Sequence, residues 1–368
     1  MVSDELKRAG ELKGELIRFA CSRFPKLYND QVLEEFKRGP ERIIILEEDT
    51  AELDNPTDRF VLETRLPDGR TIVEVFVAER TDLPEQEREM ILGWQDVSEG
   101  IFQIDRRLPD GFILYNLLND LVYEAKPNKE IDPSPFGVGG FIYARLIPVD
   151  EQTYMFSGAA ISFGEKRKLV VKLVEDLLMD NPARGYEGNP AKVEQGFALL
   201  NDQYRTFGEH FGGDELIASG RKLTKPYREF MHLISGEGGP PLPTDLPKDL
   251  VETDDVGFLC DEVEGISFLQ GYGEFRRIFE DPSFDKRGKL AVAQAEVVRG
   301  YLISGTISTA PLRKMAACFP DHAQAVFRAA LGRPHFDLER DFDALMMEFK
   351  PGYVKAREYP SIIMMGDR

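Results

Sequence analysis

The sequence predicts an α+β fold: a helical N-terminal region, a small five-stranded, partly open barrel, a helical segment and a C-terminal mixed α/β domain. Three observations lead there. Five short apolar runs between Ile101 and Phe163 alternate with Gly, Pro, Asn and Asp, as a small barrel requires when each strand buries one face and each turn reverses within a few residues. On either side, apolar residues recur at three- and four-residue spacing, the mark of amphipathic helices. Finally, the stretch 236–249 holds four prolines and three glycines, which sustain neither ladder nor helix and predict a linker. The expected organisation is therefore a helical region over 1–98, the barrel over 99–163, helices over 164–235, the linker over 236–249 and a mixed α/β domain over 250–368.

Taken in order, residues 3–38 predict two helices, with Leu6, Ala9, Leu12, Leu16 and Ala20 on one face, then Val32, Leu33 and Phe36. Ile43 to Leu46 fits a strand or a helix. The acidic, proline-bearing stretch from Glu47 to Asp58 reads as a connector. Asp68-Gly69 between apolar runs is a hairpin signal, yet Ile72, Val73, Phe76 and Val77 step at helical spacing, so a turn that opens a helix is preferred. Asp82 and Glu85, with Pro84 between them, predict a capped helix that turns Met90, Ile91 and Trp94 inward. The strands fall at 101–104, 112–115, 121–123, 141–146 and 154–156. In the fourth, alternation sends Phe141, Tyr143 and Arg145 to one side and Ile142, Ala144 and Leu146 to the other, with Ile142 and Leu146 expected in the core.

Ser162 and Glu165 have capping-box spacing ahead of a helix carrying Leu169, Val170, Leu173, Val174, Leu177 and Leu178. A longer helix begins at Asn189-Pro190 and aligns Val193, Phe197, Leu200, Tyr204, Phe207 and Phe211. Past the linker, 256–260 and 266–269 predict a hairpin around the acidic turn Asp261 to Gly265. Helices are expected near 272–280, 287–303, 310–319, 321–331 and 337–349, with Ile362 to Met365 as a closing strand.

Composition narrows the function classes. The 368 residues carry 46 Lys and Arg against 65 Asp and Glu, a formal net charge of −19, which repels phosphate backbones and anionic headgroups. Three scattered cysteines, Cys21, Cys260 and Cys318, make neither a disulfide framework nor a metal knuckle and predict reduced thiols. The charged start Met1-Val2-Ser3-Asp4-Glu5 and the lack of a run of about 18 apolar residues predict a cytoplasmic protein with no membrane partner.

Candidate chemistry is sparse. The four histidines, His210, His232, His322 and His335, lack the spacing that places two ligands on one helical face. Asp321 with His322, and His335 with Asp337, are candidates for a mixed oxygen and nitrogen metal site; the competing reading makes the aspartates helix caps. The acids around the hairpin turn, Asp261, Glu262 and Glu264 with Asp254 and Asp255, are candidates for a divalent cation or, more plainly, solvated turn residues. Beside these acids the Cys260 thiol is expected to be a poor nucleophile in a buried strand. Ser219 and Lys222 have Ser-x-x-Lys spacing without companion motifs. Gly137-Val138-Gly139-Gly140 precedes a strand, whereas a phosphate loop follows one and opens a helix. The barrel aromatics Phe102, Tyr115, Tyr123, Tyr143 and Phe156 invite base stacking, but 101–163 holds eight acidic against five basic residues, so they are expected to form the barrel's own core.

The run Arg59 to Thr71, the segment from Pro84 through Trp94 and the strand Gly100 to Ile104 together resemble a poorly characterised group of bacterial proteins, some of which carry a C-terminal zinc knuckle of the SEC-C type. The resemblance covers about residues 59–163 and implies no particular activity. With no Cys-x-Cys and an end in Met364-Met365-Gly366-Asp367-Arg368, the chain departs from the zinc-bearing members, so zinc is not implied here. The sequence thus leads to a non-enzymatic interaction or regulatory protein with protein partners and no cofactor. A metal-assisted hydrolase using Asp, Glu and His is the alternative, and nucleic-acid binding the third reading.

Overall fold

Two strands buried on both faces organise an α+β protein whose contacts divide the chain into two units, meeting in sequence at Asn189 and Pro190. The computed structural model describes residues 4–38, 54–128, 131–235, 245–284 and 288–362. The expectations for Ile43 to Leu46, for 236–244 of the linker and for the closing strand past Ile362 lie outside the described residues.

In the first unit, helices α1 (Asp4–Arg23), α2 (Pro25–Arg38), α3 (Asp54–Glu63), α4 (Ile72–Glu79) and α5 (Glu85–Gly93) precede five strands: β1 (Ser98–Arg107), β2 (Phe112–Asn116), β3 (Val122–Lys126), β4 (Phe141–Pro148) and β5 (Thr153–Gly164). Hydrogen bonding runs β1-β2-β3-β5-β4 and returns to β1. The thinnest seam is β3 with β5, a parallel pairing of three residues, whereas β4 and β5 pair antiparallel along their length with two register shifts. Strand β5 outruns its expected 154–156 because the next residues, Ser157 to Ala160, are small and carry no alternating apolar signal, although the strand continues past a register shift to pair through Ile161, Ser162 and Gly164.

Alternation in β4 decides what surrounds the barrel. Ile142, Ala144 and Leu146 point inward among Phe102, Ile104, Phe112, Leu114 and Phe156. The opposite face is also buried, because α3 packs on β5 and α5 on β4. Ile147 and Met155 there join a second core with Leu12, Leu16, Val61, Leu62, Ile72, Val73, Phe76, Ile91 and Trp94.

Helix α3 replaces the expected connector over Asp54 to Asp58. Pro56, read from sequence as a breaker, sits in the first helical turn, where no amide donor is needed. Both signals around Asp68-Gly69 are expressed: Arg65 and Thr71 form an isolated antiparallel bridge, Gly69 takes φ +87°, and Thr71 then opens α4 through a capping box with Glu74. Two expected caps are corrected. Asp82 pairs with Arg80 and leaves α5 to begin after Pro84 without a side-chain cap, and Ser162 ends β5 rather than opening a helix. Helix α6 (Arg167–Asp180) starts after Lys166, also uncapped, and a 3-10 turn (Pro182–Gly185) follows.

The second unit contains α7 (Pro190–Phe211), β6 (Glu215–Ala218), α8 (Gly220–Ile234), α9 (Lys248–Val251), β7 (Val256–Asp261), β8 (Gly265–Gln270), α10 (Tyr272–Glu280), α11 (Val292–Ile303), α12 (Ala310–Cys318), α13 (Pro320–Leu331), α14 (Leu338–Phe349) and α15 (Pro351–Ala356). Its sheet, β6-β7-β8, is antiparallel, with the expected hairpin as β7 and β8. Strand β7 is central. Val256, Phe258 and Cys260 face a core with Phe207, Leu223 and Phe230, while Leu259 joins the core of α10 to α14. Gly257 is required on that second face, since a Cβ there would lie 2.4 Å from the Tyr272 ring.

This sheet relocates the expected boundary. Strand β6 lies before 236–249 and pairs in register with β7 beyond it, Glu215 opposite Leu259 and Ala218 opposite Val256, so residues on both sides of that stretch belong to one unit. A proline-rich stretch shows only where regular structure stops; it does not show which elements pair across it. Among the described residues no helix is long and apolar enough to cross a membrane.

Leu146 is fully buried in the barrel interior, so Leu146→Ala should lower the stability by about 2–5 kcal/mol. Arg106, on the same sheet and exposed, should tolerate alanine within about 0.5 kcal/mol. Urea titration of both variants checks the difference, and comparable losses would contradict the inward assignment of β4.

Candidate functional site

Among the described residues, the densest convergence of charge lies on the outer face of the barrel. In the sheet register Glu99 of β1 is opposite Arg145 of β4, and Arg145 is opposite Ser157 of β5, so three neighbouring strands present these side chains side by side. Helix α3 lies over them and contributes Asp58, Arg59 and Glu63; α1 contributes Lys13. The Arg145 guanidinium is wholly buried and meets three carboxylates. Nε donates to Asp58 Oδ2 at 3.0 Å, and the two remaining nitrogens donate to Glu99 and Glu63. Asp58 also accepts from Ser157 Oγ at 2.7 Å and pairs with Lys13 Nζ at 2.6 Å, although both ionic residues are at most 5% exposed. Glu99 accepts in addition from Arg59 at 2.6 Å and from Tyr143 Oη at 2.8 Å, with Arg184 of the 3-10 turn 3.7 Å away.

Electrostatics keep Glu99, Asp58 and Arg145 ionised against the cost of burial. Desolvation pushes the Glu99 carboxyl up, but Arg145, Arg59 and Arg184 outweigh it and hold the carboxyl down at about 2. For Asp58 desolvation is likewise opposed, by Lys13 and Arg145, and its carboxyl stays below the ordinary range. Burial lowers the Arg145 guanidinium while its three carboxylates raise it further, so it remains charged. Each guanidinium nitrogen of Arg145 already has a protein acceptor, and Asp58 is sealed from solvent. The arrangement fastens the helical layer to the barrel through charge-assisted bonds, with Arg145 and Asp58 fully enclosed by it.

The residues singled out from sequence take other roles. Asp337 is the N-cap of α14, accepting from Arg340 N at 3.0 Å, and Asp321 lies exposed in the first turn of α13. His322 Nδ1 is 2.8 Å from the Phe279 carbonyl, and the exposed His335 offers its backbone carbonyl to Arg340. Asp261 accepts from the amides of Val263 and Glu264 and from Arg313, while Glu264 accepts from Thr309 and from Ala310 N at 2.8 Å, capping α12. The hairpin acids Asp261 and Glu264 are thus brought together on Arg313, and Glu262 is exposed. Among the described residues no group of three or more His, Cys, Asp or Glu is arranged to hold a metal ion.

Burial first, then Asp261 and Asp214, push the Cys260 thiol up to about 12. In the glycine loop, Gly139 N donates to Ile104 O and Gly140 N to Gly137 O, so those amides are turned to the protein rather than to an anion. Phe102, Tyr123 and Phe156 pack edge-on within the barrel core, and Tyr143 binds Glu99. Sequence reasoning placed Arg145 on the face opposite Ile142 and Leu146 but missed its partners. The one available signal was an arginine within a strand otherwise apolar on both faces. Lys350 was missed as well. It is buried, donates to the carbonyls of Ser304 and Ile307, and is pushed down to about 8 by desolvation.

Each unit has an open, largely apolar groove at its surface. That of the first unit, about 820 Å³, runs between Phe24, Leu27, Leu66 and Val75; its cations and acids are balanced, with Arg23 near Glu79 and Arg70 on Asp68. That of the second unit, about 780 Å³, lies between α11 and α13. In comparison with known proteins, no family model matches the chain, and neither a curated protein nor a solved structure matches it.

Because Glu99 is held at about 2 against an ordinary 4.5, its contribution is complete above pH 4.5 and is lost as pH falls from there toward 2. Glu99→Gln should therefore cost about 3–5 kcal/mol at pH 7, with the gap from the unaltered protein closing below pH 4. Urea titrations at pH 7, 4.5 and 3 measure this; a gap independent of pH would show that the Glu99 charge does not carry the contact.

Proposed function

We propose that this is a non-enzymatic interaction protein of the reducing cell interior that holds protein partners on its surface. The observation that carries this reading is the fate of its converging acids. Asp58, Glu63, Glu99, Asp261 and Glu264 are each met by a cation, a hydroxyl or an amide of the chain itself, while two largely apolar grooves lie open at the surface. A carboxylate already bonded in this way is a weak metal ligand, because an ion must displace existing charge-assisted bonds. Apolar concavities rimmed by polar groups are what a protein partner recognises. The net charge of −19 supports a protein partner over a nucleic acid, and three free thiols support a reducing compartment. Kinship with the bacterial group that includes SEC-C-bearing proteins belongs to the same proposal, without zinc.

Two measurements test it. Zinc, manganese or magnesium should leave the thermal midpoint unchanged; a rise of several degrees that vanishes in Glu262→Gln or Asp337→Asn would overturn this reading in favour of a metal site, as the metal-assisted hydrolase requires. A photo-crosslinking residue at Val292, which is 73% exposed beside the second groove, should give a discrete adduct in cells, and one at Val122, exposed on β3, should not. Equal labelling from both positions would remove the support for groove-based recognition.

A further inference from the structure

The groove of the second unit differs in charge from the rest of the molecule. Its floor comes from two helices that pack on each other. Val292, Ala295 and Arg299 share one face of α11, and Ala325, Arg328 and Ala329 share one face of α13. The small residues keep the floor low, and Phe284 and Leu290, joined by an isolated bridge, close one end. Phe284 and Val292 are 37% and 73% exposed, so apolar surface continues onto the rim. On a chain of net charge −19, the described lining contains Lys289, Arg299 and Arg328 and no Asp or Glu. Arg299 and Arg328 donate through Nε to backbone carbonyls, Ala295 O at 3.2 Å and Phe336 O at 2.6 Å, and among the described residues neither is paired with a carboxylate. A guanidinium bound to a carbonyl through Nε keeps its terminal nitrogens for a further acceptor.

Resting on the interaction reading above, we propose that this groove takes an acidic amphipathic helix of a partner protein. A third helix laid along α11 and α13 would place apolar residues at i, i+3, i+4 and i+7 over Ala295, Ala325 and Ala329, and its flanking Asp or Glu beside Arg299 and Arg328. The 12 residues of α11 give about 18 Å of track, enough for three turns. The openness of the concavity along both helices favours a peptide over a small amphiphile, which requires enclosure on most sides. The groove of the first unit has matched cations and acids and provides no such bias.

The test is selection of a random peptide library, about 15 residues long, on the immobilised full-length protein, in parallel with an Arg299→Glu/Arg328→Glu variant. Enriched peptides should carry apolar residues at helical spacing flanked by Asp and Glu. A fluorescein-labelled enriched peptide should bind by polarisation, should weaken as salt rises, and should lose about tenfold or more of its affinity on the double variant. Because Arg328 also holds the Phe336 carbonyl, a second variant, Val292→Glu, alters an exposed apolar position on the rim and should weaken the same peptide with an unchanged circular dichroism spectrum. Groove-dependent binders without acidic bias would overturn the charge assignment and leave the interaction reading standing. Binders unaffected by either variant, or no binders at all, would remove the groove from both readings. Displacement of the peptide by decanoate at micromolar concentration would replace it with a fatty carboxylate.

Discussion

The Arg145 guanidinium is the interaction on which the first unit depends. A fully buried cation is tolerable only where carboxylates offset its lost hydration, and Asp58, Glu63 and Glu99 do so from two directions: two from the helix that covers the barrel and one from the adjacent strand. Apolar contacts tolerate sliding, whereas a guanidinium bound through three nitrogens fixes the position of α3 over β4 to within hydrogen-bond tolerance. Lys13 extends the same constraint to α1, and Ser157 to β5.

Both units use one further device, a strand buried on two faces. In β4 the inward residues fill the barrel, while the outward ones divide between the ion cluster and the helical core. In β7 the two sets join two separate helical cores. A strand of this kind has no solvated side, so register slippage would bury the wrong set on both faces at once, which makes register strongly specified.

Several of the described carboxylates serve the fold itself. Asp261 and Glu264 support a hairpin turn and the start of α12, Asp337 starts α14, and the barrel acids bind guanidinium groups. A cation-rich groove is correspondingly unusual in such a chain, and it arises because α11 and α13 present Arg299 and Arg328 toward the same concavity from opposite sides.

The sequence by itself determined the class of the fold, the five strands, both strands of the hairpin and most helices, because these follow from local periodicity that solvent exposure imposes on every amphipathic element. It also determined the two faces of β4, since alternation is a property of the extended backbone. It misplaced the caps at Asp82 and Ser162, where a local rule matched but Arg80 and the end of β5 claimed those groups first. It also overlooked β6, four residues long, whose identity comes only from pairing with β7 across the proline-rich stretch. What only the tertiary structure decided was the ion cluster, since Asp58 and Glu63 lie 87 and 82 residues from Arg145, and the second groove, where helices distant in sequence share a concavity. Charges at such separations interact only after the chain has folded, and no spacing rule in the sequence encodes which of 65 acids a given arginine will meet.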